Sequence, residues 1–286
     1  MKKLTIIVLG LIAALGMQAA DFAAELNLSL QSTYLWRGQY LGGLTFLPDV
    51  AIGFDTDNTA FRVGVCSELS ASDWKFTKGT WDADGNYDGT FFHPELDVYG
   101  EYDFYGASVY ANFYQYFWPQ ESGPYDASSH QTEVGVGYNI SHFTGIDLYA
   151  NWYTIVEGDD YYTDSDDNQK RAYASYLEIG YNYTFEEQGV TLGATVGMSP
   201  WASDNYCNDK FAVVNVSARI EKEWEFDKCT LTLFGEGAIN PDMAYKVNQA
   251  KAAGEPCDYA IYNSNAGISK FSAQALVGNV GLTVSF

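Results

Sequence analysis

Between residues 25 and 37 the chain alternates: Leu26, Leu28, Leu30, Tyr34 and Trp36 share one face, and Asn27, Ser29, Gln31 and Thr33 share the other. The period recurs from 95 to 104, where Leu96, Val98, Tyr102 and Phe104 alternate with Glu95, Asp97, Tyr99, Glu101 and Asp103. From 107 to 114, Ala107, Val109, Ala111 and Phe113 oppose Ser108, Tyr110, Asn112 and Tyr114, and the last segment sets Leu276, Val280, Leu282, Val284 and Phe286 against Asn279, Thr283 and Ser285. Period two marks a strand whose two faces meet different surroundings. It predicts twelve strands, near 24–37, 44–55, 59–68, 94–104, 106–118, 130–140, 145–157, 172–185, 189–200, 211–223, 229–240 and 271–286. Each has the roughly nine to eleven residues, or slightly more, that a tilted strand needs to cross a bilayer. No helical period competes with them over a comparable stretch.

The connections alternate as well. Strands 2–3, 4–5, 6–7, 8–9 and 10–11 are joined by short turns, while longer loops occupy 69–93, 119–129, 158–171 and 241–270. An even strand count with short turns at one end and long loops at the other is the pattern of an outer-membrane barrel. The expected fold is therefore all-β, a transmembrane antiparallel up-and-down barrel of about 12 strands filling residues 21–286. An open strand edge in lipid is costly, so the first and last strands should pair. The chain ends on Phe286 behind alternating apolar residues, which looks like the signal that many such barrels present to the barrel-assembly machinery. Two stretches 39 residues apart, VYANFY at 109–114 and LYANWY at 148–153, indicate a hairpin repeated around the wall.

Composition adds the compartment. Lys2 and Lys3 precede an apolar run from Leu4 to about Leu15, with Ala19 and Ala20 behind it, the order of a cleaved signal peptide over residues 1–20. No cysteine follows the run, which speaks against a lipoprotein anchor, and no later window is long and apolar enough for a spanning helix. Without Lys2 and Lys3 the chain has 13 Lys+Arg against 37 Asp+Glu, a balance of −24. Such a charge excludes nucleic acid as a partner. The expected partners are the lipid bilayer, lipopolysaccharide, the assembly machinery through Phe286, and a small-molecule solute.

The run Ser32-x-Tyr34-x-x-Arg37-Gly38, with Pro48 ahead of the next strand, resembles the N-terminal signature of the TorF-type porin family (Gcw_chp). AFRVGVCSEL at 60–69 and Glu95 to Tyr99 extend the likeness over about the first 115 residues, and Leu35 and Trp36 before the Arg-Gly pair depart from it. The resemblance implies an outer-membrane porin and no established substrate.

Strand phase selects the candidate pore-lining residues. Arg37, Asp49, Arg62, Glu95, Asp97, Glu101, Tyr110, Tyr114, Glu133, Tyr149, Tyr153, Glu178, Arg219 and Glu236 are expected to face the lumen, as are Asp147 and Glu221. In one reading they line an acidic, aromatic channel that favours cations or neutral solutes resembling sugars or nucleosides. In another they pair across the interior and fill it, because twelve strands lie between the filled eight-stranded and the open sixteen-stranded barrels. Strands 9 and 12 contribute small residues (Thr191, Gly193, Thr195, Gly197, Asn279 and Gly281), expected as a smooth wall opposite the bulky one. Tyr34 and Trp36 share the lipid phase and are assigned to an interfacial aromatic girdle. Arg37 follows out of phase and should turn inward at the rim, to meet Asp49 or Glu95.

Other chemistry is weaker. Asp82, Asp84, Asn86 and Asp88 have an alternate spacing that suits calcium, but His93 stands where the twelfth ligand belongs, and the acids at 159, 160, 164, 166 and 167 read as solvated loop. No metal or cofactor is therefore expected. His130 beside Ser128 and Ser129, and His93, would be the residues of an outer-membrane hydrolase, yet no motif orients them, and an enzyme is not expected. A receptor or adhesin role through loop aromatics such as Trp74, Trp81 and Trp201 is a third class. Cys207 and Cys257 fall in adjacent loops and could form a disulfide, whereas Cys66 and Cys229 are expected to be free.

Overall fold

Backbone pairing runs in a complete ring. The computed structural model of the chain describes residues 21–56, 59–71, 92–117, 129–163, 168–253, 260–261, 271–272 and 276–286. Its barrel strands are β1 (Asp21–Gln31), β2 (Thr45–Asp55), β3 (Thr59–Ala71), β4 (Phe92–Phe104), β5 (Ala107–Tyr116) and β6 (His130–Asn139). They continue with β7 (Leu148–Gly158), β8 (Ser175–Phe185), β9 (Val190–Ser203), β10 (Asn208–Phe226), β11 (Cys229–Ile239) and β12 (Leu276–Ser285). Every strand pairs antiparallel with its neighbours in sequence, and β12 pairs with β1 to close a barrel of twelve strands. The seam runs from Asn27 opposite Ser285 to Gln31 opposite Gly281. Leu26 and Phe286 exchange both backbone hydrogen bonds, at 3.2 and 2.9 Å, so the last residue is zipped into the wall at the seam.

The alternation has the predicted sense. On β2, Val50 and Ile52 are 55% and 57% exposed, while Ala51 between them is 2% exposed. Val65, Val98, Val109, Val136, Ile179, Val196, Ile220 and Leu282 continue this apolar outer band. Aromatic residues flank it at both ends. Tyr138, Tyr183 and Trp224 stand outward beside the short turns, and Trp201, Phe211 and Tyr173 beside the long loops.

Several inward rings lie flat against the wall, because a neighbouring strand offers a glycine beneath them. A Cβ on Gly135 would come 2.6 Å from the Tyr153 ring. One on Gly64, Gly180, Gly197 or Gly281 would overlap Tyr99, Tyr149, Tyr176 or Phe234 respectively. Glycine is therefore required by close approach, and each ring projects by its thickness instead of its length. This corrects the expectation of opposite smooth and bulky walls. β9 is two strands from β7 in the ring, and its Gly197 and Thr195 interleave with the aromatics.

Two further expectations need correction. β1 ends at Gln31, not at residue 37; residues 34–36 belong to a separate two-stranded ribbon with Gln39–Gly42. The 241–270 connection contains a helix, α1 (Pro241–Ala253), although no helical period marked it. Pro241 stands at its first turn and the Asn240 side chain accepts from the Met243 amide at 3.0 Å, which together start a helix without an amphipathic stripe. A four-residue helical turn, Ser141–Thr144, also occupies the β6–β7 connection.

Glycine packing gives a stability test. Gly180→Ala should lower barrel stability by about 1–3 kcal/mol through overpacking against Tyr149. Gly237→Ala, where nothing lies within 4 Å of the added atom, should be neutral or stabilising by up to about 1 kcal/mol. Urea unfolding of the refolded barrel measures both.

Candidate functional site: an inward hairpin held across the barrel

The chain leaves the wall at Ser32, and Asn279 on β12 sets its direction. The Asn279 side-chain oxygen accepts from the Thr33 amide at 3.2 Å and from the Ser32 hydroxyl at 3.3 Å, and Thr33 Oγ1 donates to the Gly278 carbonyl at 3.1 Å. On return, the Gly43 amide bonds to the Ala71 carbonyl at 2.7 Å. Between these anchors, Tyr34–Trp36 and Gln39–Gly42 form a hairpin turned into the barrel. Its central residues both have positive φ, 49° at Arg37 and 80° at Gly38, as a tight two-residue turn of this hand requires. Glycine accepts that conformation freely, whereas for an arginine it costs roughly 1–2 kcal/mol.

Something must therefore hold Arg37. Its Nη1 and Nη2 donate to Oε2 and Oε1 of Glu133 on β6 at 2.6 and 2.8 Å, and Nη1 also donates to the Tyr206 hydroxyl at 2.7 Å. The guanidinium carbon lies 4.6, 4.4 and 4.8 Å from the ring centres of Trp36, Tyr153 and Tyr176. Trp36 stacks on Tyr206 at 5.8 Å, and Tyr206 on Tyr176 at 5.6 Å. Glu133 is fully buried and also accepts from Asn112 Nδ2 and the Tyr114 hydroxyl, both at 3.1 Å. At the tip, a Cβ on Gly38 would sit 2.8 Å from Asn215 of β10. The hairpin starts between β1 and β2 and ends against β6 and β10.

Apolar packing closes the loop side of this layer. Ile155, Ala172, Ala174, Tyr176, Tyr206, Ala212 and Val214 form a buried cluster, with Trp36, Tyr153 and Tyr162 against it. Burial raises the proton affinity of the Tyr206 hydroxyl, the effect of Arg37 opposing it. Asp160 is buried as well; its carboxylate accepts from the Ala174 amide and from Asn205 Nδ2 at 3.1 Å, so it is a structural acid and not the solvated one expected. Burial, ahead of every other influence, pushes its carboxyl above the usual range.

Arg37 turns inward as expected but its partner does not follow the expectation: it pairs with Glu133, not with Asp49 or Glu95. Tyr34 and Trp36 are not in an outer aromatic girdle, because both lie on the inward hairpin. Tyr34 stands near Glu68 on β3. Glu68 stands opposite Glu95 in register, and the carboxylates of Glu68, Glu95 and Asp97 are all buried. Glu68 Oε2 and Asp97 Oδ1 have no hydrogen-bond partner among the described residues.

The remaining candidates lie toward the turn end. Asp49 accepts from Arg62 at 3.2 Å, Tyr99 at 2.8 Å and Asn27 at 3.1 Å, and Arg62 also meets Glu25 at 2.7 Å. Glu101 stands opposite Tyr110 in register, and the Tyr110 hydroxyl donates to Asn151 at 3.4 Å; Asn151 in turn donates to Glu178 at 3.0 Å. Tyr149 bonds to Thr195 at 3.1 Å, and Asp147 accepts from Asn139 and Asn182. Arg219 meets Glu221 at 2.9 Å and Glu236 at 3.6 Å, with its guanidinium 3.8 Å from the Phe234 ring. The side chains of Arg62 and Arg219 are 35% and 39% exposed, against 11% for Arg37, so water reaches this part of the interior and not the hairpin layer.

Other expectations fall elsewhere. His130 Nε2 lies 2.8 Å from Glu157, and His142 packs edge-on to Tyr105. Cys66, Cys207 and Cys229 are free thiols. Cys207 donates to the Asp204 carbonyl at 3.3 Å and burial pushes its thiol up to about 12. Cys257, Trp74, Trp81, Ser128, residues 82–88 and the acids at 164, 166 and 167 lie outside the described residues, as does 1–20. Sequence reading missed Tyr176, Tyr206 and Asn215, and placed Asn279 inward without its role at the hairpin stem. Gly197, opposite the ring of Tyr176, was the available signal for the first.

No family model matches the chain, and no curated protein sequence matches it. Among solved structures, an outer-membrane channel from Pseudomonas putida F1 is similar with TM-score 0.48 at 8% identity, over 94% of this chain and 96% of that one. Salmonella typhi OmpF in complex with daunomycin gives 0.34 at 11%, over 93% and 97%. Pseudomonas putida OprB at high pH gives 0.32 at 10%, over 97% and 96%.

The contrast in exposure between the arginines predicts unequal stability effects. Glu133→Ala should cost about 3–5 kcal/mol, because it leaves a buried guanidinium without its counter-charge. Arg62→Ala should cost under about 1 kcal/mol, since its pairs are half in water. Unfolding midpoints of the two variants check this.

Proposed function

We propose that the chain is a narrow channel of a bacterial outer membrane, with the Tyr34–Gly42 hairpin as its constriction. The observation that carries this reading is the hairpin itself, which crosses from the β1–β2 connection to Glu133 on the far wall. The apolar outer band between two levels of aromatic residues suits a bilayer with its two interfaces, and the paired seam closes the wall that would face lipid. The likeness of the first 115 residues to TorF-type porins agrees with it. Export through a cleaved signal peptide at 1–20, assembly through the strand ending in Phe286, and contact of the loop end with lipopolysaccharide belong to the same proposal.

On the water-reached side of the hairpin, Asp49, Glu101, Glu178, Glu221 and Glu236 outnumber Arg62 and Arg219. A low-dielectric wall with this excess concentrates cations and repels anions. Small cations or neutral solutes are therefore the proposed cargo, and no hydrolytic role is proposed. A filled structural barrel is the second reading, favoured by the apolar cluster around Tyr176 and Tyr206.

Planar-bilayer recording separates the two. The channel reading predicts a small conductance in the wild type, cation-selective by reversal potential, that rises several-fold in Arg37→Ala. Folded wild type and Arg37→Ala that both fail to conduct would establish the filled barrel, and anion selectivity would contradict the acidic lining.

A further inference from the structure

Arg37 is held as a ligand is held. Of the groups around its guanidinium, only Trp36 belongs to the hairpin. Glu133 comes from β6, Tyr153 from β7, Tyr176 from β8, and Tyr206 from the β9–β10 turn. The wall itself holds the carboxylate and one of the rings. Asn112 and Tyr114 fix the Glu133 carboxylate, and Asn215 donates to the Tyr176 hydroxyl at 3.0 Å. The arginine also reaches the site from a backbone conformation that disfavours it, at φ 49°.

We infer that Glu133, Tyr153, Tyr176 and Tyr206 form a receptor for a guanidinium group, that Arg37 occupies it in cis, and that a free guanidinium compound displaces Arg37 and releases the hairpin. This rests on the hairpin being the constriction proposed above. The site selects guanidinium over ammonium for two reasons. Its carboxylate offers two oxygens in the fork geometry of two parallel N–H donors, and its rings present flat faces to a flat cation. An ammonium ion fits neither as well. A residue tethered by a short chain competes at an effective concentration on the order of millimolar, and the unfavourable φ of Arg37 lowers its advantage. Displacement should therefore occur with millimolar ligand, well below denaturing concentrations.

The test uses the full chain, refolded in detergent micelles at constant ionic strength, with methylguanidinium as the probe and ethylammonium and urea as controls. In the wild type, methylguanidinium should produce a saturable change in tryptophan emission as Trp36 leaves Tyr206, and this change should vanish in Trp36→Phe. By calorimetry, Arg37→Ala should bind methylguanidinium at least tenfold more tightly than the wild type, and the added Glu133→Gln should abolish binding. The controls should produce neither signal. Two results would overturn the inference. One is absence of saturable binding to Arg37→Ala that keeps the heat-modifiable mobility of a folded barrel. The other is wild-type Trp36 emission that does not move at a hundred times the concentration that saturates the variant. If Arg37→Ala does not refold, Arg37→Lys, which keeps a charge but loses the fork, takes its place with the same expected gain. Binding is read without conductance, so a barrel that binds as described and conducts nothing refutes the channel while leaving the receptor in place.

Discussion

The bidentate contact of Arg37 with Glu133 is the interaction on which the interior depends. Both groups are out of water, and either alone would carry a large desolvation penalty. Together, with Asn112 and Tyr114 also donating to Glu133 and Tyr206 accepting from Arg37, they pin the tip of the hairpin to the far wall. The hairpin in turn divides the interior. Toward the loops lies an apolar core built on Tyr176 and Tyr206, and toward the turns lies a charged space that water reaches. Without the pair, the strained backbone at Arg37 would lose the two-pronged contact that offsets it.

The wall is shaped to receive it. Laying Tyr153 and Tyr176 over Gly135 and Gly197 turns their faces toward the axis, where they cover the guanidinium. Rings standing out from the wall would have taken the space the hairpin occupies. The glycines therefore shape the same site that the charged pair secures. The stem is equally determined, since Asn279 takes the Thr33 amide and directs the chain inward before the hairpin begins.

Much of the barrel was legible because two solvents impose it. Lipid outside and water or packed side chains inside force the alternation that marks Val50, Ala51 and Ile52 as out, in and out. The seam followed from the cost of an edge, and the inward turn of Arg37 from its break of phase. The partner of Arg37 was not legible, because Glu133 stands across the ring from β1 and local periodicity carries no information about distance across a barrel. Tyr34 and Trp36 were misplaced for a related reason. Their alternation continues that of β1, but Ser32 and Thr33 take the chain out of the sheet, so the phase no longer refers to the same wall. Helix α1 escaped because Pro241 and Asn240 start it without an apolar stripe.

The central claim is that the hairpin lies inside the barrel against β10 and β6. A disulfide tests it most directly, with Gly38→Cys and Asn215→Cys introduced into a chain whose four native cysteines are serine. The added Cβ at 38 lies 2.8 Å from that of Asn215, close enough for a bridge after a small shift. The account predicts rapid oxidation to a single cross-linked species, with no bridge when Val216→Cys on the outer face replaces the β10 partner. A Gly38–Asn215 pair that stays reduced, or one that bridges no faster than the Val216 control, would contradict it.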